Sequence, residues 1–233
     1  MKDAIVIKGY QKTSFVDFPG HICATIFTAG CNMRCPYCHN AHLATGGKGI
    51  PAISVDQILS DLEKRKHNIE ALCISGGEPT IHKGLIDFIR SVKTLGLKVK
   101  LDTNGTNPDI IETLLSENLL DFIAMDVKQT LSKYQKASIL PVDSAALAKT
   151  ISVLKESGVP YEFRLTVVPE ITSKEDVVLI AKELSGAKTF ALQQFVPTNA
   201  MFDCSLHDRF SSEDLYVLKD SIKEHFEQVL VRV

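Results

Sequence analysis

The feature that most constrains this chain is a repeat: short apolar, β-branched runs alternate about six times with amphipathic stretches of helical spacing. The runs are Ile22–Thr28, Ala71–Ser75, Lys98–Asp102, Phe122–Asp126, Glu162–Val168 and Thr189–Phe195. Each is nearly continuous in hydrophobicity, the mark of a parallel strand covered on both faces. Ser54 and Asp56 signal a helix start, with Leu59, Leu62 and Ile69 on its inner face. Further helices are expected at His82–Thr94, Pro108–Glu117, Ser144–Glu156, Ser173–Leu184 and Ser211–Glu227. Six such units in 233 residues fall short of the roughly 250 that a closed eightfold barrel takes. The expected fold is therefore α/β, a partial (β/α)6 TIM-type barrel of parallel strands with outer helices. A single domain is expected over 1–233, with a core of about 15–197 and a C-terminal extension at 198–233.

Composition narrows the function. At 45% hydrophobic and 23% charged the chain is that of a globular protein, not a disordered or fibrous one. A formal net charge of −2 gives no bulk attraction to nucleic acid or to an anionic membrane, and neither is expected as a partner. No apolar run has bilayer-spanning length, and Met1–Lys8 lacks the apolar stretch of a signal peptide, so the cytoplasm is the expected compartment. In a reducing compartment, Cys31, Cys35 and Cys38 on one short loop read as metal ligands.

Chemistry in barrel folds of this kind gathers where strands end, and the residues just after each strand are unusual here. The first strand leads into Gly30-Cys31-Asn32-Met33-Arg34-Cys35-Pro36-Tyr37-Cys38-His39-Asn40. Three thiolates at this Cys-x3-Cys-x2-Cys spacing suit either zinc, with His39 or His42 as a fourth ligand, or a [4Fe–4S] cluster with one iron left open. The second strand leads into Ser75-Gly76-Gly77-Glu78-Pro79, where paired glycines allow close backbone approach and Glu78 offers an acceptor to an ammonium or hydroxyl. Asp102-Thr103-Asn104-Gly105 follows the third strand and Asp126-Val127-Lys128 the fourth. Taken singly, Gly76-Gly77 could be a tight turn, Asp102 and Asn104 an Asx turn, and Lys128 a solvated charge. Arg164, inside the apolar run Phe163-Arg164-Leu165, reads as pointing towards an anion inside the barrel, with a surface salt bridge as the alternative. Cys23 and Cys73 read as small core side chains, and Cys204 as a tail-loop thiol.

Together these segments resemble the radical S-adenosylmethionine superfamily, whose Cys-x3-Cys-x2-aromatic-Cys signature is met by Cys31, Cys35, Tyr37 and Cys38 and followed by Gly76-Gly77-Glu78-Pro79. Ser14-Phe15-Val16-Asp17-Phe18-Pro19-Gly20, Tyr37-Cys38-His39-Asn40, Leu101-Asp102-Thr103-Asn104-Gly105 and Asp126-Val127-Lys128-Gln129 resemble the branch that activates glycyl radical enzymes. The opening Gly9–Ser14 with Val16–Gly20 is most similar to activators of anaerobic ribonucleoside-triphosphate reductase. The resemblance implies one [4Fe–4S] cluster on Cys31, Cys35 and Cys38, with S-adenosylmethionine bound at its open iron. It implies cleavage of that molecule to a 5′-deoxyadenosyl radical, which takes hydrogen from a glycine of the partner enzyme. Tyr37, Gly76, Gly77, Glu78, Pro79, Asp102, Asn104, Asp126, Lys128 and Arg164 fall on cofactor-contact positions. A monovalent cation on Asp102 and Asp126, and a flavodoxin or ferredoxin as electron donor, are implied as well.

Departures matter. Pyruvate formate-lyase activators usually carry glycine where this chain has Phe18, and a histidine where it has Gln193-Gln194-Phe195-Val196-Pro197. Activators with a second, ferredoxin-like segment place cysteines where Ala41–Glu70 has none, so a single cluster is expected. The alternatives are a pyruvate formate-lyase-type activator, a radical enzyme acting on a small molecule in the manner of a carboxy-deazaguanine synthase, and a zinc-stabilised binding module.

Overall fold

The structure, a computed structural model, describes residues 5–233. The opening Met1–Lys8, in which no signal peptide is expected, lies in part outside the described residues, at Met1–Ala4. Two compact units make up the chain. The first takes in the residues up to Asn32, His42–Thr103 and Asp109–Ile123; the second Met33–Ala41, Asn104–Pro108 and Ala124–Val233.

In the first unit β1 (Ile7–Ser14) pairs antiparallel with β2 (Cys23–Thr28). After α1 (Ala41–Ala44) and α2 (Val55–Arg65), β3 (Ala71–Gly76) pairs parallel with β2. After α3 (Leu85–Thr94), β4 (Lys98–Thr103) pairs parallel with β3. α4 (Pro108–Ser116) and β5 (Phe122–Asp126) follow, β5 passing from the first unit to the second at Ala124. Ala71, Leu72, Cys73 and Ile74 have no exposed surface, which is why β3 reads as an unbroken apolar run. Ile58 and Leu62 of α2 and Leu85, Ile89 and Val92 of α3 are equally buried, each worth about 1.5–3 kcal/mol. The start of α2 is set by Ser54, whose hydroxyl accepts the Gln57 N–H at 3.1 Å. Between β1 and β2, Phe18 turns inward onto Cys23, Ala71 and Cys73 with Phe122 beside it, leaving Phe15 and Val16 exposed.

The second unit contains α5 (Ser144–Glu156), β6 (Tyr161–Val167), α6 (Lys174–Glu183), β7 (Ala187–Gln194), α7 (Ser212–Ile222) and β8 (Phe226–Arg232). β6, β7 and β8 pair parallel. Capping boxes, Ser173 with Asp176 and Ser211 with Asp214, open α6 and α7.

Strand order follows chain order from β1 to β8. A doubly wound sheet reverses its order at a switch point, whereas an unreversed order is that of a (β/α) barrel. The α/β class with six βα units, β2 to β7, is as expected, and β1 and β8 are additions. The expected helix Ser211–Glu227 is corrected: α7 stops at Ile222, a 3₁₀ turn spans Lys223–His225, and Phe226 opens a strand. Phe226 lies on the same helical stripe as Leu215, Leu218 and Ile222, so periodicity alone carries the helix too far. The stripe is broken by pairing with β7 and by the stacking of Phe226 on Phe190, ring centroids 4.8 Å apart. Among the described residues no helix is long and apolar enough to cross a membrane.

Candidate active site

In the first unit the segments after β2 and β3 are laced together. Gly77 N–H donates to Thr28 O at 2.8 Å, and Glu78 N–H to Gly30 O at 2.8 Å. A Cβ on Gly77 would stand 1.9 Å from Gly30 O, and one on Gly76, whose φ is +115°, 2.3 Å from Thr28 N. Two main chains thus pass at a distance only glycine permits, and they do so beside Cys31. Glu78 is wholly buried. Its Oε1 accepts the Thr80 N–H at 3.1 Å, the Thr80 hydroxyl at 2.6 Å and the Thr103 hydroxyl at 2.8 Å. The hydroxyls read for this acceptor therefore include two of the chain's own, and the carboxylate ties the Pro79–Ile81 turn to the end of β4. On β4 the buried ammonium of Lys100 pairs with Asp102 Oδ1 and lies 3.8 Å from Cys73 Sγ, and that thiol lies 3.9 Å from Asp102 Oδ2. Burial raises the Cys73 thiol well above its ordinary pKa, with Asp102 adding to the effect.

The second unit holds Cys35, Tyr37 and Cys38. Cys38 N–H closes a turn on Cys35 O at 3.0 Å. The loop is pinned on several sides: Arg34 N–H donates to Ser138 Oγ at 3.2 Å, Ile139 N–H to Arg34 O at 2.8 Å, and Asp203 N–H to Pro36 O at 2.9 Å. Tyr37 and Phe195 make a T-shaped contact with ring centroids 6.4 Å apart, and His39 stacks on the Phe195 ring, centroids 6.3 Å apart, with Nε2 2.7 Å from Val196 O. Phe202 lies under the Arg34 guanidinium, so the C-terminal extension supports this loop through Phe202 and Asp203. Asn104 builds the Asx turn, its Oδ1 accepting from Thr106 N–H at 3.0 Å and the Thr106 hydroxyl at 2.7 Å.

The anion expected beside Arg164 is Asp126: Arg164 Nε donates to Oδ1 at 2.8 Å, and Lys128 Nζ to Oδ2 at 3.4 Å. Burial would raise the Asp126 carboxyl, yet the charges of Arg164 and Lys128 overcome it and hold the carboxyl down at about 2. Burial opposes the Lys128 charge, but Asp126, Cys35 and Tyr37 keep the ammonium well above its usual range. Lys128 N–H in turn donates to Tyr134 Oη at 3.1 Å. Lys100 and Tyr134 were not singled out from the sequence. Lys100, between Val99 and Leu101, carries the same signal as Arg164, a cation in an apolar strand.

None of the six cysteines is joined in a disulfide. Cys31 belongs to the first unit, Cys35 and Cys38 to the second. Among the described residues no three His, Cys, Asp or Glu side chains form a ready-made cage for an ion. His39, one of the fourth ligands considered for zinc, is engaged with Val196 O and Phe195. In the second unit Cys35 and Cys38, one turn apart in a pinned loop and not joined in a disulfide, are thiols of the kind that iron and sulfide take as ligands.

The sequence pattern described as the Radical SAM superfamily matches residues 25–184. A protein of Methanocaldococcus jannaschii named "Putative glycyl-radical enzyme activating enzyme" is 37% identical over 200 residues, 84% of this chain and 82% of its own length. The chain therefore belongs to the radical SAM superfamily and, within it, to the glycyl-radical enzyme activating family. Its relatives include the 7-carboxy-7-deazaguanine synthase of Thermoplasma acidophilum, 33% identical over 47% of this chain and 49% of that one. The pyruvate formate-lyase-activating enzyme of Clostridium pasteurianum is 26% identical over 84% of this chain and 82% of that one. In fold it is similar to Streptococcus suis SuiB bound to the precursor peptide SuiA, with a TM-score of 0.70 at 15% identity over 90% of this chain. This chain spans about half of SuiB, covering 48% of its length. The family carries an iron–sulfur cluster and uses S-adenosylmethionine, and this chain is a radical SAM enzyme.

Proposed function

We propose that this enzyme installs the glycyl radical of an anaerobic ribonucleoside-triphosphate reductase, working as a single domain in the cytoplasm with a flavodoxin or ferredoxin as electron donor. In this reading Cys31, Cys35 and Cys38 hold one [4Fe–4S] cluster. When bound, the cluster supplies the electron that breaks a carbon–sulfur bond of S-adenosylmethionine, and with it the radical that takes hydrogen from a glycine Cα of the partner.

The observation that carries the reading is the group beside the pinned cysteine loop. Lys128 and Arg164 converge on the carboxylate of Asp126 and gather two cationic side chains next to the loop, a setting suited to the methionine carboxylate. Tyr37, fixed in a T-shaped contact with Phe195, is the aromatic that the resemblance sets beside the adenine. For the methionine end the resemblance assigns Gly76, Gly77, Glu78 and Pro79, and in the first unit Glu78 fixes that main chain through Thr80 and Thr103. Asp102 and Asn104 complete the contacts from the end of β4 and the turn beyond it. The reductase is favoured over pyruvate formate-lyase by Gly9–Ser14, by Phe18 and by the lack of a histidine in Gln193–Pro197. The Thermoplasma relative supports the small-molecule alternative, over under half of the chain.

The test is anaerobic reconstitution with iron and sulfide, reduction with S-adenosylmethionine, and electron paramagnetic resonance in the presence of the reductase. A glycine-centred doublet, absent with Cys35→Ala, is expected. A doublet only with pyruvate formate-lyase would move the assignment to that partner, and turnover of a deazaguanine precursor without any protein would replace it.

A further inference from the structure

The group that fits this chain least is the monovalent cation that the resemblance places on Asp102 and Asp126. Both carboxylates already face side-chain cations: Asp102 faces Lys100, and Asp126 faces Arg164 and Lys128. Lys100 is 2% exposed, in the middle of β4. A buried ammonium is stable only where an anion answers it, and Asp102 is the carboxylate within contact. The ammonium also donates to the Cys73 sulfur at 3.8 Å, and Asp17, nearby, accepts the Thr25 hydroxyl at 2.6 Å, but the ion pair Lys100 makes is with Asp102. A metal ion on Asp102 would place a second positive charge beside Lys100 with one carboxylate between them, in surroundings that screen poorly. At Asp126 an added cation would stand beside two side-chain cations, Arg164 and Lys128.

We infer that Lys100 is the built-in cation of this site, so that the enzyme neither binds nor needs a monovalent metal ion at Asp102. The inference rests on the reading that Asp102 lies at the S-adenosylmethionine site, and its test has an arm independent of that reading. Wild type and Lys100→Met are compared in potassium, sodium and choline chloride at equal ionic strength. Melting of the protein without cluster is one readout, and 5′-deoxyadenosine formation after reconstitution the other.

Wild type is expected to melt alike in the three salts and to turn over at rates within about twofold. Lys100→Met, in which Asp102 loses its ammonium partner, should gain saturable stabilisation by potassium or sodium and lose about tenfold of its rate in choline. Lys100→Arg should keep the salt independence, which separates charge from packing if the methionine variant folds poorly. Saturable potassium or sodium stabilisation of the wild type, or a salt-indifferent Lys100→Met that folds, overturns the inference. Absence of 5′-deoxyadenosine from wild type in every salt would instead count against the proposed function, with the melting comparison still deciding on Lys100.

Discussion

At the scale of single residues, two close approaches hold the candidate site together. Gly77→Ala puts a methyl group 1.9 Å from Gly30 O, where both partners are main chain and neither can yield alone. A loss of at least about 2 kcal/mol is expected, measured by anaerobic denaturant unfolding. Thr103→Val removes a hydroxyl donor from the buried Glu78 carboxylate and should cost about 1–3 kcal/mol. Asp126 gives a pH signature. Its folded carboxyl is held at about 2, below the roughly 3.9 of an unfolded aspartate. Its stabilisation is therefore complete above about pH 4 and lost as pH falls towards 2. Arg164→Met should lower stability between pH 4 and 7 and converge with wild type in strong acid, as followed by unfolding across pH. Arg164 was legible because an arginine in an apolar strand needs an anion. Lys100 bore the same mark, but the aspartate two residues on belonged to a motif of its own and hid the pair. Glu78 was legible as an acceptor, whereas its partners Thr80 and Thr103 come together only through folding, since Thr103 lies 25 residues away.

At the scale of elements, strands buried on both faces announced themselves, and β2 to β7 fall within a residue or two of the apolar runs. The two added strands did not. β1 is an edge strand with Lys8, Gln11 and Lys12 among its residues, so it lacks an apolar run to read. β8 continues a helical stripe until Phe226 finds Phe190 on the neighbouring strand, a long-range pairing that local spacing does not encode. Phe226→Ala should cost about 3 kcal/mol if that stacking anchors the strand, and the thermal midpoint reports it. The same strand ends in Arg232, which grips the buried Glu162 with both guanidinium nitrogens at 3.0 and 2.7 Å. Arg232→Leu would strand a buried carboxylate and should destabilise by about 3–5 kcal/mol.

For the whole molecule, the topology and the family follow from the repeat and the cysteine loop, while the choice of partner rests on short segments such as Gly9–Gly20 and Gln193–Pro197. The reaction can be traced atom by atom. If a glycine Cα of the reductase is the source of hydrogen, a reductase made with glycine deuterated at Cα should pass one deuterium into 5′-deoxyadenosine. Mass spectrometry of the nucleoside after a single turnover reads this directly. Singly deuterated 5′-deoxyadenosine, formed only when the labelled reductase is present, is the result expected. Unlabelled 5′-deoxyadenosine, formed at the same rate with or without the reductase, would contradict the account.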